Sequence, residues 1–216
     1  IQEGKLKNDK AILPITNEAE DYTIPRGWVL ARMGGFGFTN IGLTYKPTNV
    51  GDTGVIVLRS SNVQHGKIDL KDLVRVSGLS IKSSVSVAVG DLIICVRNGS
   101  KSLVGKAALI KVLPEPMAFG AFMSIFRSNI NEYVEVFLNS PLFRRELDGI
   151  NTTTINQITQ QNLKNTLIPI PPLAEQHRIV SKVDELMALC DNLEQHSRPR
   201  NPRRSPSRGP HKCSRC

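Results

Sequence analysis

Apolar residues between positions 54 and 128 come in bursts too short for a helix, and turn-forming residues separate them. "GVIVLRS" (54–60) is a short apolar strand closed by polar residues. "GKIDLKDLVRV" offers shorter strands or turns, and "VSVAVGDLIICVRNGS" reads as a strand, a turn and a buried strand from Leu92 to Val96. "VGKAALIKV" (104–112) is the next predicted strand, which makes "RNGSKSLVG" a loop or hairpin turn. "GAFMSIFRS" (120–128) is a further one. A chain written this way must pair its segments into sheet. None of the bursts approaches the roughly 20 apolar residues needed to cross a bilayer, so no membrane partner is expected.

The flanks read differently. Residues 1–21 are polar and lysine-rich, an irregular lead-in. In "TIPRGW", Pro25 and Gly27 form a turn, and Trp28 is a candidate anchor at the domain edge. Residues 28–50, rich in Gly, Thr and Asn, suit strand and loop. Beyond the strands, "NEYVEVFLNSPLFRREL" (131–147) places Tyr133, Val134, Phe137, Leu138 and then Leu142 on one face, predicting a helix. "NTTTINQ" is a polar loop. "ITQQNLKN" is a short helix that Thr159 can cap. The prolines of "TLIPIPP" make it extended.

A longer helix follows Pro172. Ile179, Val183, Leu186, Cys190 and Leu193 step by 4, 3, 4 and 3, the seam that packs one helix on another. An amphipathic helix lying on its own core would show the same steps over about two heptads, so the pattern leaves both open. No internal repeat is visible. The fold class is therefore α+β: a β-rich core with flanking helices, then a long amphipathic helix whose seam also suits the coiled-coil type. The expected divisions are a lead-in (1–21), a globular domain (22–172), the helix (173–196) and a tail (197–216). Pro199, Pro202, Pro206 and Pro210 exclude helix from the tail, whose composition predicts disorder.

The net charge of +9 invites a nucleic-acid reading. Seven of those charges (Arg198, Arg200, Arg203, Arg204, Arg208, Lys212, Arg215) sit in the tail, leaving +2 for residues 1–196. Global charge thus says nothing about the folded part. Cys95 and Cys190 read as small buried hydrophobes. Cys213 and Cys216 form a C-x-x-C without the further ligands zinc requires. No disulfide framework is implied, and a cytoplasmic protein fits. The chain starts with Ile and lacks a signal pattern, so a fragment, a trimmed product or half of a longer protein is expected.

Enzyme signatures are missing: there is no phosphate loop, no HExxH and no GxSxG. "GGFGF" (34–38) lacks dinucleotide spacing, and the four histidines are scattered. No catalytic residue, cofactor or metal is predicted for the chain itself. Three polar clusters interrupt the strands instead. The first holds Arg59, Asn62, Gln64 and Lys67; the second Arg97, Asn98, Ser100, Lys101 and Lys106; the third Thr152, Thr153, Thr154, Asn156 and Gln157. Arg and Lys suit guanine edges, Asn and Gln suit adenine, and hydroxyls suit base or phosphate. Loops are polar in any protein, so each cluster alone carries little.

Several segments resemble the specificity subunit of type I restriction–modification systems. "LPITNEAEDYTIPRGW" looks like the opening of a target-recognition domain. "IGLTYKP", "GVIVLRSSNVQHGKIDL", "GDLIICVRNGS" and "LVGKAALI" resemble its β-rich part. "FLNSPLF", "TTTINQIT" and "LKNTLIPIPPLAEQHRIVSKVDELMALCDNLE" resemble its end and the helix after it. The resemblance covers residues 1 to about 195.

It implies a non-catalytic DNA-recognition subunit that reads one half of a bipartite site in double-stranded DNA. It further implies a spacer helix that sets the gap between half-sites and docks methyltransferase subunits. The partners, including restriction/translocase subunits, would use S-adenosylmethionine, ATP and Mg to methylate adenine N6 or to cut. Under this resemblance the seam residues start the spacer helix and the three clusters face DNA, with Arg97, Lys101, Arg59 and Gln157 foremost. One recognition domain fits in 216 residues, so a C-terminal half is expected. Two such halves, as a homodimer, would rebuild a whole subunit. The family helix continues where this chain turns to proline and arginine, as a frameshift or junction would produce. The alternative is a structural remnant that docks a methyltransferase without reading DNA.

Overall fold

A computed structural model of the chain describes residues 12–15, 23–149 and 157–197. The chain divides into two compact units, 1–180 and 181–216. The strands are β1 (Val29–Arg32), β2 (Phe38–Ile41), β3 (Val50–Gly51), β4 (Val55–Leu58), β5 (Val63–Gln64), β6 (Lys67–Ile68), β7 (Val74–Val76), β8 (Leu92–Cys95), β9 (Ala107–Leu109), β10 (Met117–Phe119), β11 (Met123–Arg127) and β12 (Leu167–Ile170). The α-helices are α1 (Asn131–Leu138), α2 (Pro141–Gly149), α3 (Gln160–Asn165) and α4 (Leu173–Ser197).

Two four-stranded sheets, in the orders β10-β4-β7-β3 and β2-β11-β8-β9, form the centre of the first unit. Strand periodicity explains how they stack. All of β8 is buried, but its residues alternate between two cores. Ile93 and Cys95 join Ile56 and Leu58 of β4, Phe119 of β10, and Met123 and Ile125 of β11 in one apolar layer between the sheets. Leu92 and Ile94 point the other way, into a layer shared with Phe126, Val134 and Phe137 of α1, Phe143 of α2 and Leu163 of α3. Phe126 is fully buried there and meets Phe36 edge to face at 5.7 Å. Such a pair adds about 0.5–1.5 kcal/mol beyond its area burial. The continuous run "LIICV" is thus a strand covered on both faces, as a run without polar alternation requires.

A two-stranded antiparallel ribbon, β1 with β12, closes the unit, pairing Val29 with Ile170 and Arg32 with Leu167. The turn at Gly27 precedes it, with the Trp28 N–H donating to Pro25 O. The Trp28 indole Nε1 donates to Glu175 of α4 at 3.2 Å, which makes it the expected anchor. The buried Arg32 guanidinium donates to the carbonyls of Leu13, Pro14 and Asn165, holding residues 12–15 against α3. Thr159 caps α3, accepting from Asn162 N at 3.1 Å.

Four expectations need correction. The apolar face of 131–147 belongs to two helices, because Pro141 has no N–H to give the carbonyl four residues back. Ser140 Oγ accepts from Phe143 N at 3.4 Å at the restart. "VSVAV" (85–89) is not a strand: a 3-10 turn at Ser83–Val85 runs into it, and it pairs only through the isolated bridge of Ser86 to Ala118. The buried Asp91 carboxylate takes the Ala88 N–H there and anchors Arg127, whose guanidinium also takes Ser86 O. The strand expected over 104–112 shortens to β9, because Gly105 turns the chain at φ +86°. Cys95 is buried as expected, but Cys190 is exposed.

The first turns of α4 belong to the first unit. Gln176 is buried and Ile179 and Val180 pack against the helix-side core. In the second unit, Leu186, Met187, Leu189 and Leu193 are exposed, Leu193 at 71%. Ile179 therefore serves its own core, whereas the later seam residues, half-buried Val183 and exposed Leu186, Cys190 and Leu193, find no such cover among the described residues. No helix among the described residues is long and apolar enough to cross a membrane. The tail beyond Ser197 lies outside the described residues, as does most of the lead-in.

Candidate nucleic-acid interface

The polar clusters attach to strand ends, and backbone pairing decides which of them meet. Gly120 N donates to Leu58 O at 2.9 Å, seating the turn before β11 at the end of β4. Leaving β8, Val96 N and Arg97 N both donate to Phe122 O, at 3.0 and 3.1 Å. Ile158 N donates to Val96 O at 2.8 Å, and Arg97 forms an antiparallel bridge with Gln157. Asn98 Nδ2 donates to Ser60 Oγ at 3.0 Å. The chain around 59–60, 97–98, 122 and 157 is thus one patch drawn from all three clusters. Gly42 permits the close approach beneath it, since a Cβ there would stand 2.2 Å from Gly120 O.

Arg97 is the exposed cation of this patch. Its Cζ stands 5.2 Å from the centroid of the Phe122 ring, which is itself 57% exposed. Such a contact is worth about 0.5–1 kcal/mol at an exposed site. Among the described residues no carboxylate pairs with Arg97. Asn98 Oδ1 accepts from Ser100 N at 3.0 Å, and the Ser100 and Ser102 hydroxyls meet at 2.9 Å, so the loop is internally tied. Lys101 pairs with Asp148 of α2 at 2.8 Å. That hydrogen bond, with the lysine charge behind it, holds the Asp148 carboxyl below the usual carboxylate range. Both groups are more than half exposed, and such pairs contribute little to stability.

The first cluster divides. Arg59 Nη2 pairs with Asp72 at 2.9 Å, while its Nε is buried with no hydrogen-bond partner among the described residues. Asn62 is 1% exposed and spent on the loop itself. Its Oδ1 accepts from Arg59 N, and its Nδ2 donates to the carbonyls of Asp69 and Asp72. Gln64 and Lys67 face each other across the β5–β6 hairpin, whose two-residue turn puts His65 and Gly66 at positive φ. The Gln64 amide donates back to Ser61 O. Lys106 is half-buried beside the end of β8, where its carbonyl accepts from Cys95 N. Burial pushes the Cys95 thiol up, so it stays protonated. Thr152, Thr153, Thr154 and Asn156 lie outside the described residues. No group of three or more metal-ligating side chains occurs among the described residues.

Phe122 and Ser60 are the participants that pattern reading passes over. Phe122 stands next to the buried strand β11 and shares its apolar lettering.

Residues 25–200 match the family model of the type I restriction modification DNA specificity domain. The chain belongs to that family. The specificity subunit of the type I restriction enzyme EcoKI from Escherichia coli K12 is 34% identical over 179 residues, covering 79% of this chain and 38% of the relative. The EcoAI specificity subunit of Escherichia coli is 29% identical over 203 residues, covering 90% of this chain and 34% of the relative. The chain therefore spans well under half the length of these relatives. The solved HsdS subunit of Thermoanaerobacter tengcongensis superposes with a TM-score of 0.61 at 18% identity, over 83% of this chain and 42% of that one. A chain from a structure of type I R-M complex assembly gives 0.64 at 20% identity, over 81% and 42%. These two likenesses show that the specificity domain has their fold. Within the domain, the patch around Phe122 lies inside the matched range and joins loops from four separate places in the sequence.

Proposed function

We propose that this chain is the DNA-recognition part of a type I restriction–modification specificity subunit, reading one half of a bipartite duplex site. The observation that carries this reading is the meeting of Arg97 with Gln157 and Phe122, and of Asn98 with Ser60, within a chain of the specificity family. The chain does no chemistry of its own. Methyltransferase partners bring S-adenosylmethionine to adenine, and restriction/translocase partners use ATP and Mg. The exposed apolar residues of α4 are the surface on which a partner helix, from a methyltransferase or a second copy, would pack. The protein acts in the cytoplasm, where its DNA is.

The test is methylome sequencing of a host that expresses the chain with its partner subunits. A bipartite adenine-methylation motif that disappears on deleting this chain is the expected result. A second reading, docking without DNA reading, is favoured by the exposed α4 face. It predicts co-purification with a methyltransferase together with equal affinity for all duplexes.

A further inference from the structure

Arg97 and Gln157 sit directly opposite each other in an antiparallel bridge. Residues so placed send their side chains to the same face, with Cβ atoms about 4.5–5.5 Å apart. Stacked bases rise about 3.4 Å along one strand. Two side chains at that separation reach neighbouring base pairs rather than distant ones. Their chemistry differs in a usable way. A guanidinium fork matches O6 and N7 of guanine, and a carboxamide matches N6 and N7 of adenine.

Phe122 decides how the fork is presented. Its carbonyl accepts from both Val96 N and Arg97 N, so ring and arginine share one anchor. The guanidinium Cζ lies over the ring, 5.2 Å from its centroid, which restricts where the fork can swing. Arg59 and Lys101 are matched to Asp72 and Asp148, whereas Arg97 is held by an aromatic face that neutralises none of its charge.

We propose that Arg97, Phe122 and Gln157 form one reading unit. Arg97 takes a guanine, Gln157 takes the adenine of the adjacent base pair, and Phe122 is a positioning residue that restricts the reach of the guanidinium. This rests on the DNA-recognition reading above. The unit makes the half-site contain a G·C pair next to an A·T pair.

The experiment is selection from randomised duplexes by the purified 216-residue chain and its variants. The wild type should enrich a half-site with adjacent guanine and adenine. Arg97→Ala should relax the guanine position by about 5- to 150-fold and leave the adenine in place. Gln157→Ala should do the reverse. Phe122→Leu keeps apolar bulk without a π face, and should weaken the guanine preference alone. Arg97→Lys should not restore that preference, because a point charge lacks the fork. Unchanged urea midpoints would show that these surface variants remain folded. An enriched half-site without adjacent guanine and adenine overturns the proposal. So does an Arg97→Ala variant that weakens every sequence equally and merely flattens the salt dependence, as a phosphate contact would. If the wild type enriches nothing, the DNA-recognition reading itself falls, and the reading unit with it.

Discussion

Tyr133 shows what one residue contributes to this fold. It is 6% exposed, and its hydroxyl donates to Pro169 O of β12, tying α1 to the closing ribbon. Burial, and behind it the Glu175 carboxylate, push its pKa up to about 12. In the unfolded chain a tyrosine ionises near 10. Above that pH the unfolded state gives up its proton while the folded state keeps it. The stabilisation is therefore complete below about pH 10 and is lost as pH rises through the folded value. The difference is of order 3 kcal/mol. Urea midpoints measured against pH should fall between about 10 and 12 in the wild type. Tyr133→Phe, less stable at neutral pH by about 1 kcal/mol for the lost hydrogen bond, should show a shallower alkaline loss. Parallel pH profiles for the two proteins would sink this assignment. Asn62 belongs at the same scale: its type suggests a base reader, but its bonds go to the loop's own carbonyls.

At the scale of elements, the β8–β9 connection carries a prediction. Gly105 stands at φ +86°, and a Cβ there would lie 2.5 Å from Leu147 Cδ1 of α2. Gly105→Ala should cost about 1–2 kcal/mol, because an L-residue in the left-handed region is strained even after Leu147 yields. Gly99→Ala, at ordinary φ with nothing within 4 Å of its Cβ, should be close to neutral. Equal thermal shifts for the two would show that the turn does not need glycine. β8, the capped α3 and the amphipathic α4 were legible because each rests on a local signal: a continuous apolar run, a Thr cap, a 3.5-residue repeat. The break at Pro141 was legible in principle and is masked by apolar residues that continue in phase beyond it. The "VSVAV" segment alternates like a strand, yet Asp91 and Arg127 claim its backbone groups. The meeting of Arg97 with Gln157 was not legible, since 60 residues separate them and only the bridge beside β8 joins them.

For the whole molecule, most of the net charge and the patch at Phe122 lie in different segments. Residues 197–216 hold seven of the net nine positive charges, and the matched domain holds the patch at Phe122. Deleting 197–216 should lower the salt dependence of DNA binding, by at most about 6 in the log–log slope, and leave the selected half-site unchanged. Titration of one duplex at several salt concentrations reads the first, and selection reads the second; a lost half-site preference would move recognition into the tail. The apolar residues exposed along α4 after Val180 are where assembly would be felt, and the strand layers where folding is. The ribbon of β1 and β12 sets a last relation between these parts. With Val29 beside Ile170, the chain leaves the domain where it came in. A segment with neighbouring ends can be cut out at two adjoining points and replaced by another with the same ends. Recombination there would exchange one such domain for another as a cassette, and the helix that follows would be inherited intact.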